Sequence, residues 1–555
     1  MKSKVVKYKR DPYTISNLAY DRRDCGDYVG ALSILHHAAK IDDDFDIYAQ
    51  IADTYTSMRL FEVAIYYWFK YLNKAKPKYY YDGYNGLGAN FYFLGKDDVA
   101  GYYFNKQISC GATEECLYED VMEEYLKTVY DRQKEEFKVV YPENVEEKAE
   151  QALNDGIELS DSENYLEAIE RFSEIGAKTN SYLDAQAEMA FAYFYLHDVD
   201  NASKRIKKAI KGGKINSRYL GLAINIAALK DDNAQLARYI EVLEKYEPEG
   251  DEKFKKANLL CTLGMFDDAE KCAALYLEDE PYNANLNYLY AHLLYRKDKF
   301  EDAEKYFRYS YIITENPIAK FYMNIARQSF VSGVKENFNI SFELPQFEIE
   351  RRGEVLKQLF LSEDKKAIEY SEDVEDIARW ILSGHSQSMQ IAIGVVLSGA
   401  DDERYREILF DAMINPTLSN EVKHRLLTLI VESDKDMEIG VVYSNVYRRV
   451  KITRLDVDGR YRNLFIKAYA FAFGRMSVFM MDKTLGTIAK SAKSFWMKVK
   501  DMDDFEAEVP DLACAIYKFS GIDFFQNSGF EYNYFDTKKS RVNKILKLVK
   551  EHENG

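Results

Sequence analysis

The stretch KDKFEDAEKYF, residues 297–307, has a near copy in LGMFDDAEKCA, residues 263–273. Aligning Ala303 with Ala269 places the two copies 34 residues apart. This distance is too long for the turn pattern of a single helix, and similarity at such a distance indicates a supersecondary unit that recurs along the chain. The fold is therefore predicted to be built from repeats.

An alanine in similar surroundings recurs through the N-terminal part of the chain and marks each repeat. The marker positions are Ala31, Ala64, Ala100, Ala168, Ala202, Ala237, Ala269 and Ala303. A small residue lies twelve positions before seven of the eight markers, and Asn225 is the exception. An aromatic or aliphatic residue often follows the marker by four, as Phe307 follows Ala303, so both lie on one helix face. Each repeat is therefore predicted to be two helices that cross at small residues.

The repeat resembles the tetratricopeptide repeat (TPR), in which a 34-residue unit pairs two antiparallel helices. The match is clearest in residues 85–104 and 263–281 and extends over about residues 12–317. Asn225 and Glu241 depart from the pattern in the unit marked by Ala237. The 68 residues between Ala100 and Ala168 are twice the period, which predicts a degenerate unit at about 113–147. The resemblance implies a right-handed α-solenoid of about eight or nine units over residues 12–330.

The repeat period ends near residue 330, and the sequence that follows has another pattern. Residues 331–353 include an alternation of Phe338, Ile340 and Phe342, which predicts an extended linker or strap. Residues 354–555 return to amphipathic helices without a period, and both a helical bundle and a further solenoid fit this pattern. The predicted fold class is therefore all-α: a right-handed α-solenoid of TPR-like hairpins, followed by a second all-α domain.

The end of the sequence predicts a basic amphipathic helix over residues 537–550. This segment holds six basic residues and no acidic ones, and its apolar residues form one stripe. The stripe either docks on the C-terminal domain or binds a membrane surface, a partner or a phosphate backbone. A DNA-reading helix-turn-helix is disfavoured because the preceding aromatic run, residues 524–534, does not resemble a compact turn.

Composition narrows the class of partner and the compartment. The net charge of −17 repels phosphate backbones, so nucleic-acid binding is unlikely for the molecule as a whole. The six cysteines include no CxxC pair, which is typical of reduced thiols. The first residues lack the apolar run of a signal peptide, and no apolar segment is long enough to span a bilayer. We therefore expect a cytoplasmic protein without membrane contact.

Motifs for catalysis, cofactors and metals are incomplete in this sequence. KGGK at 211–214 lacks the first glycine of a phosphate loop, and DVDG at 456–459 lacks the closing glutamate of a calcium loop. GHSQS at 384–388 lacks the last glycine of a nucleophile elbow. No HExxH or other metal-ligand spacing occurs among the histidines. The sequence therefore predicts no enzyme activity, no cofactor and no metal.

The TPR resemblance implies a ligand groove lined by one face of each unit's first helix. By resemblance, the groove residues are Asn85, Tyr92, Phe191, Phe194, Phe254, Asn258, Tyr288, His292 and Tyr295. No unit has the Lys and Asn of the family's carboxylate clamp, so recognition of a C-terminal carboxylate is not expected. An aromatic groove in an acidic protein favours a neutral or basic segment with apolar anchors. The alternative is that neighbouring helices cover some of these aromatic rings.

Two functions of different kinds fit the sequence best. The first is a cytoplasmic scaffold or adaptor that binds a protein segment or peptide in the repeat groove. The second is a peptide-responsive regulator whose C-terminal domain contacts nucleic acid or a partner protein. An enzyme within residues 353–555 is a third hypothesis, which the incomplete motifs disfavour. The identity of the partner is not encoded in any motif that the sequence shows.

Overall fold

The computed structural model describes residues 12–41, 44–110, 145–362, 368–400, 402–433, 435–479, 482–503, 505–526 and 528–554. Residues 113–144 of the predicted degenerate unit lie outside these ranges. The chain forms two compact units. The first comprises Met1–Arg132, Asn316–Ile318 and Glu343–Gly555, and the second comprises Gln133–Glu315 and Ala319–Phe342.

The N-terminal part of the first unit consists of paired helices. They are α1 (Pro12–Asp24), α2 (Tyr28–Ile41), α3 (Phe45–Ser57), α4 (Phe61–Lys74), α5 (Tyr80–Phe93) and α6 (Asp97–Ser109), with a 3-10 turn at Pro77–Tyr79. The helices α1 and α2, α3 and α4, and α5 and α6 each form a hairpin.

The second unit repeats the same hairpin. Its helices are α7 (Val145–Asp161), α8 (Tyr165–Ser173), α9 (Tyr182–Tyr195), α10 (Val199–Lys211), α11 (Ser217–Leu229), α12 (Asn233–Lys245), α13 (Glu252–Thr262), α14 (Phe266–Asp279), α15 (Ala284–Arg296) and α16 (Phe300–Thr314). One further helix, α17 (Pro317–Ser332), continues the series, and its residues from Ala319 onward belong to this unit. The predicted helical hairpins are confirmed.

The C-terminal part of the first unit is helical apart from two strands. Its elements are α18 (Gln346–Leu361), α19 (Glu372–Gly384), α20 (Gln387–Gly399), α21 (Glu403–Ile414), α22 (Asn420–Glu432), β1 (Met437–Tyr443), β2 (Val446–Ile452), α23 (Arg462–Ser477), α24 (Asp482–Val499), α25 (Val509–Phe519), α26 (Phe530–Tyr534) and α27 (Lys539–Asn554). One hydrophobic core of aliphatic and aromatic side chains joins most of these elements.

Small residues bring the two helices of each hairpin close together. Ala100 and Ala168 are fully buried at the second crossing of their hairpins. A Cβ atom added at Gly88 would collide with the ring of Phe104, so only glycine fits there without movement of the ring. The small residues and the following aromatics therefore pack as the repeat pattern predicts.

The turn inside each hairpin contains one residue in the left-handed region, five positions before the second crossing. These residues are Gly26, Arg59, Gly95, Glu163, His197, Asp231, Gly264 and Asp298. A left-handed residue after a helix lets the next backbone N–H groups reach the last free carbonyls. Lys96 N–H, for example, donates to the carbonyl of Phe91 at 3.0 Å. Glycine therefore occurs at this position but is not required in every hairpin.

The marker Ala237, the sixth of the eight, is wrong by one residue. Ala237 is exposed, whereas Asp231, the left-handed turn residue, places the second crossing at Leu236. Leu236 packs against the core of the second unit. The first crossing then falls on buried Ile224 instead of exposed Asn225. The apparent departures disappear, because this hairpin uses two aliphatic residues where the others use small ones.

The C-terminal region contains a β-hairpin that the all-helical prediction for residues 354–555 missed. Strands β1 and β2 pair antiparallel, with Tyr443 opposite Val446. The two connecting residues, Ser444 and Asn445, have φ of 49° and 65°, as a type I′ turn requires. β-Branched and aromatic residues on either side of this turn favour strands. The all-α fold class holds for the chain, with this small sheet as an addition.

The β-hairpin packs on the N-terminal helices within the first unit. Tyr103 is fully buried on α6, and its hydroxyl donates to the carbonyl of Asn445 at 2.5 Å and accepts from Tyr447 N–H at 2.9 Å. The guanidinium of Arg449 donates to the carbonyl of Asn73 at 2.7 Å, near the end of α4. A cation at this end of a helix interacts favourably with its dipole. These contacts tie residues 12–110 to the C-terminal region.

Replacing Tyr103 with phenylalanine should destabilise the first unit by about 1 to 2 kcal/mol. The ring would still fit, but a buried N–H of Tyr447 and a buried carbonyl of Asn445 would lose their partner. The midpoint of denaturant unfolding measures this change. Tyr102→Phe is the matched control, because Tyr102 is partly exposed on the same helix. An equal effect of the two variants would contradict the role of the Tyr103 hydroxyl.

The compact units do not coincide with the domains predicted from the repeat period. The period grouped residues 12–330, but residues 12–110 pack in one unit with residues 343–555. The predicted linker, 331–353, is non-helical only from Gly333 to Pro345, because α17 ends at Ser332 and α18 begins at Gln346. Independent folding of residues 12–330 and 354–555 stays a prediction. Repeat phase does not report which helices share a core.

The predicted tail helix is present as α27, from Lys539 to Asn554. Val542, Ile545 and Val549 are buried in the core of the first unit. Arg541 forms an ion pair with Glu508 at 2.8 Å. The apolar stripe therefore docks on the C-terminal region, which was one of the two alternatives for this segment.

Candidate functional site

The groove face of the second unit carries an extended segment of the chain itself. This segment, residues 333–342, is called the strap. It follows α17 and has no helix or strand. Its side chains and backbone contact the predicted groove residues of α13 and α15, together with residues of α17. The groove thus holds a peptide segment in this structure.

Phe338 is the central contact of the strap. Its ring stacks on Tyr295 with a centroid distance of 4.7 Å. Tyr322 lies 4.9 Å away in an edge-on arrangement, and His292 lies at 5.7 Å. Aromatic pairs in these geometries contribute beyond the area they bury. Three groove rings from α15 and α17 therefore form the pocket for Phe338.

Phe342 forms a second aromatic contact, four residues further along the strap. Its ring centroid lies 5.0 Å from that of Tyr288 and 5.4 Å from that of Phe254. Phe342 keeps 37% of its surface exposed. The contact is therefore at the rim of the groove rather than within its core.

Two tyrosine hydroxyls of the groove bind the backbone of the strap. Tyr295 accepts from Glu336 N–H at 2.9 Å, and Tyr288 donates to the carbonyl of Ser341 at 2.8 Å. Such contacts recognise an extended backbone whatever its side chains are. Lys335 adds a side-chain contact, an ion pair with Asp298 at 2.6 Å. The strap is thus held by two rings, two backbone groups and one charge.

The centre of this site is buried deeply enough to shift the pKa of a titratable side chain. Tyr288 is 4% exposed, and His292 and Tyr295 are each 2% exposed. Burial lowers the pKa of His292 to about 3, and the nearby Ser341 backbone only partly opposes this shift. Neither ring nitrogen of His292 makes a hydrogen bond. His292 is therefore neutral at physiological pH and serves as a packing surface.

The strap does not fill the groove completely. A cavity of about 520 Å³ lies between strap residues 335–340 and the groove side chains. The groove side chains that line it include Asn258, Cys261, Phe266, His292 and Tyr295. This volume is within the usual range for binding pockets. Additional atoms of a ligand would therefore find room beside the strap.

The predicted groove residues of α9 lie away from these ring contacts of the strap. Phe191 and Phe194 are both partly exposed. The guanidinium of Arg218 lies 3.9 Å over the ring of Phe191 and also forms an ion pair with Glu188. This section of the groove offers two aromatic rings and a fixed charge pair. In this section, called the open section, both rings keep part of their surface exposed, whereas Tyr288, His292 and Tyr295 are buried.

The first unit carries the remaining predicted groove residues. Asn85 and Tyr92 lie on α5, and both are partly exposed. They do not share the strap site, which is built from residues of the second unit.

Sequence reasoning missed four residues of the strap site. They are Tyr322 and Ser329 on α17, and Phe338 and Phe342 on the strap. Tyr322 lies 34 residues after Tyr288, and Ser329 lies 34 after Tyr295. Ser329 also hydrogen-bonds the Tyr295 hydroxyl at 2.8 Å. Extending the period by one helix would have found both of these, whereas nothing in the sequence places the strap against them.

Neither a metal-binding cluster nor a membrane-spanning helix is found in the described ranges. No group of three or more His, Cys, Asp or Glu side chains there is arranged to hold a metal ion. Within the same ranges, every helix is too short or too polar to cross a bilayer.

Comparisons with known proteins found similarity to solved structures. No protein-family model and no curated protein matches the chain. Among solved structures, yeast Tom70 is similar over 88% of this chain and 97% of its own, with 15% identity and a TM-score of 0.29. YrrB, described as a TPR protein with an unusual peptide-binding site, matches 31% of this chain and 90% of its own, with 18% identity and a TM-score of 0.24.

A third structure, the APC/C hetero-tetramer Cut9-Hcn1, covers 98% of this chain and 90% of its own, with 10% identity and a TM-score of 0.21. These TM-scores are low, so the assignment rests on the hairpins of this chain, with their buried crossings and left-handed turn residues. The chain is a helical-repeat protein with a tetratricopeptide-like fold.

Proposed function

We propose that this chain is a cytoplasmic protein-interaction scaffold that binds an extended segment of a partner protein in the groove of its second unit. The observation that carries the proposal is the strap, an extended peptide held in this groove by aromatic rings and tyrosine hydroxyls. Recognition of backbone groups together with aromatic anchors is a common way to bind a peptide. The proposed activity is binding and includes no catalytic step.

The open section of the groove at α9 is the proposed entry for the partner. Phe191 and Phe194 supply aromatic surface with few rotatable bonds, so little entropy is lost on binding. The chain has a net charge of −17, which favours a neutral or basic partner segment. No observation favours the regulator hypothesis over this one, because the basic tail packs its apolar stripe inside the first unit.

Replacing Phe191 and Phe194 together with alanine should weaken binding of selected peptides at least about tenfold, or 1.4 kcal/mol. Linear peptides would be selected on the wild-type chain from a displayed library and synthesised. Their affinities for wild type and variant would be measured by fluorescence anisotropy. The loss is expected because both rings contribute contact area that alanine lacks.

The matched control is Tyr165→Ala together with Leu166→Ala, two neighbouring large residues near the start of α8, the second helix of its hairpin. Leu166 is exposed, and Tyr165 is partly exposed. This control should bind the peptides as the wild type does. If the Phe191 and Phe194 variant keeps its fold and its full affinity, the groove is not the binding surface.

A further inference from the structure

We propose that the strap is an intramolecular ligand of the groove, and that the partner segment displaces it by offering the same chemistry. That chemistry is an extended segment with two aromatic residues four positions apart and a basic residue three positions before the first. In the strap these residues are Lys335, Phe338 and Phe342. The inference rests on the proposed function and specifies which kind of segment binds.

The groove recognises the strap through groups that any such segment would present. Phe338 meets the rings of Tyr295, Tyr322 and His292, and the hydroxyls of Tyr295 and Tyr288 bind backbone atoms of the strap. None of these contacts depends on the covalent link between the strap and α17. A separate peptide with the same aromatic spacing can therefore form all of them.

The strap fits the groove loosely enough to leave it. Phe342 is 37% exposed, and Phe338, Ile340 and Lys335 are only partly buried. The cavity of about 520 Å³ shows that the strap leaves volume beside Phe338 unfilled. A partner that fills this volume gains contacts that the strap does not have. This difference lets a free segment compete with an attached one.

Attachment gives the strap an advantage that the partner has to overcome. A short covalent connection produces a high effective concentration of the strap at the groove, on the order of millimolar for flexible links. The apparent affinity for a partner equals the intrinsic affinity multiplied by the fraction of molecules whose groove is open. Weakening the strap should therefore raise the affinity for a free segment without any change in the groove.

The test uses the strap itself as a probe. A labelled peptide of residues 333–342, GVKENFNISF, is titrated with the full chain and with the variant Phe338→Ala, Phe342→Ala. The variant should bind the peptide at least about tenfold more tightly than the wild type, because its own strap has lost both anchors. The same peptide with both phenylalanines replaced by alanine should bind neither protein measurably.

The matched control keeps both anchors and changes exposed strap residues. In Asn337→Ala, Asn339→Ala, the affinity for the peptide should equal that of the wild type, since both asparagines are exposed. If the double phenylalanine variant unfolds, Phe342→Ala alone serves, because that ring is partly exposed. Its expected gain in affinity is smaller, at least about threefold, because Phe338 still holds the strap.

Two results would overturn the proposal. One is a folded strap variant that binds the peptide no better than the wild type does. The other is dimer formation, measured by sedimentation, that is present in the wild type and lost when the strap anchors are removed. That result would mean that the strap exchanges between two copies of the chain. Neither result bears on Phe191 and Phe194, so failure here is distinguishable from failure of the proposed function.

Discussion

Replacing Lys423 with methionine should stabilise the chain by about 1 to 3 kcal/mol at neutral pH. Lys423 lies on α22 with only 1% of its surface exposed, and its ammonium donates to the carbonyl of Val442 at 2.5 Å. Burial lowers its pKa to about 7. Relative to the unfolded pKa of about 10.4, this shift corresponds to roughly 4 kcal/mol of destabilisation at pH 7. Loss of the hydrogen bond to Val442 offsets part of the gain.

The pH dependence of stability tests whether the buried charge of Lys423 causes this destabilisation. Below pH 7, Lys423 is protonated in both states, so the full cost of burying its charge is present. Between pH 7 and about 10, the folded state releases the proton while the unfolded state keeps it, so stability rises with pH. The wild type should therefore gain roughly 3 kcal/mol between pH 7 and 9.5 from this lysine. The Lys423→Met variant should lack this rise.

The measurement is denaturant unfolding of both proteins at several pH values. Lys451→Met is the matched control, because it removes the same charge from an exposed position on β2. It should leave both the stability and its pH dependence close to those of the wild type. A rise of equal size in the Lys423 variant would show that another group causes it.

Replacing Ala303 with leucine should destabilise the second unit by about 1 to 3 kcal/mol. Ala303 and Ala291 are both completely buried in the hairpin of α15 and α16. The added methyl groups cannot be placed without pushing the two helices apart or forcing strained rotamers. The free energy of unfolding from denaturant titration reports this cost.

The repeat marked by Ala237 provides the control for this substitution. Ala237→Leu makes the same chemical change on α12, but Ala237 is exposed. Its effect on stability should lie within about 0.5 kcal/mol of zero. Equal destabilisation by both variants would contradict the phase of the repeat given above.

The groove residues show how far position in a repeat can predict a site. Tyr288, His292 and Tyr295 were placed on the groove face by their repeat positions, and they do meet an extended segment there. The prediction left open whether helices would cover these rings. They are covered by the strap together with Tyr322, which was not among the predicted groove residues. Their role in binding a partner stays a proposal.

The β-hairpin was not predicted because its stability depends on contacts with distant residues. Ser444 and Asn445 form a two-residue turn with positive φ, but the neighbouring strands are held by residues distant in sequence, among them Tyr103, Asn73 and the C-terminal core. Isolated two-stranded hairpins are marginal in water. A local reading of residues 437–452 therefore could not decide between strand and helix.

The sequence by itself determined the hairpin unit, its period of 34 residues and the small residues at the crossings. Those properties are local, because each hairpin buries its own face against its partner and its neighbours. Only the tertiary structure decided that residues 12–110 share a unit with residues 343–555, and that the strap occupies the groove. Both depend on contacts between segments distant in sequence, such as Tyr103 with Asn445 and Tyr288 with Phe342. Periodicity carries no information about such pairs, since it records which face of a helix is buried and not what covers that face.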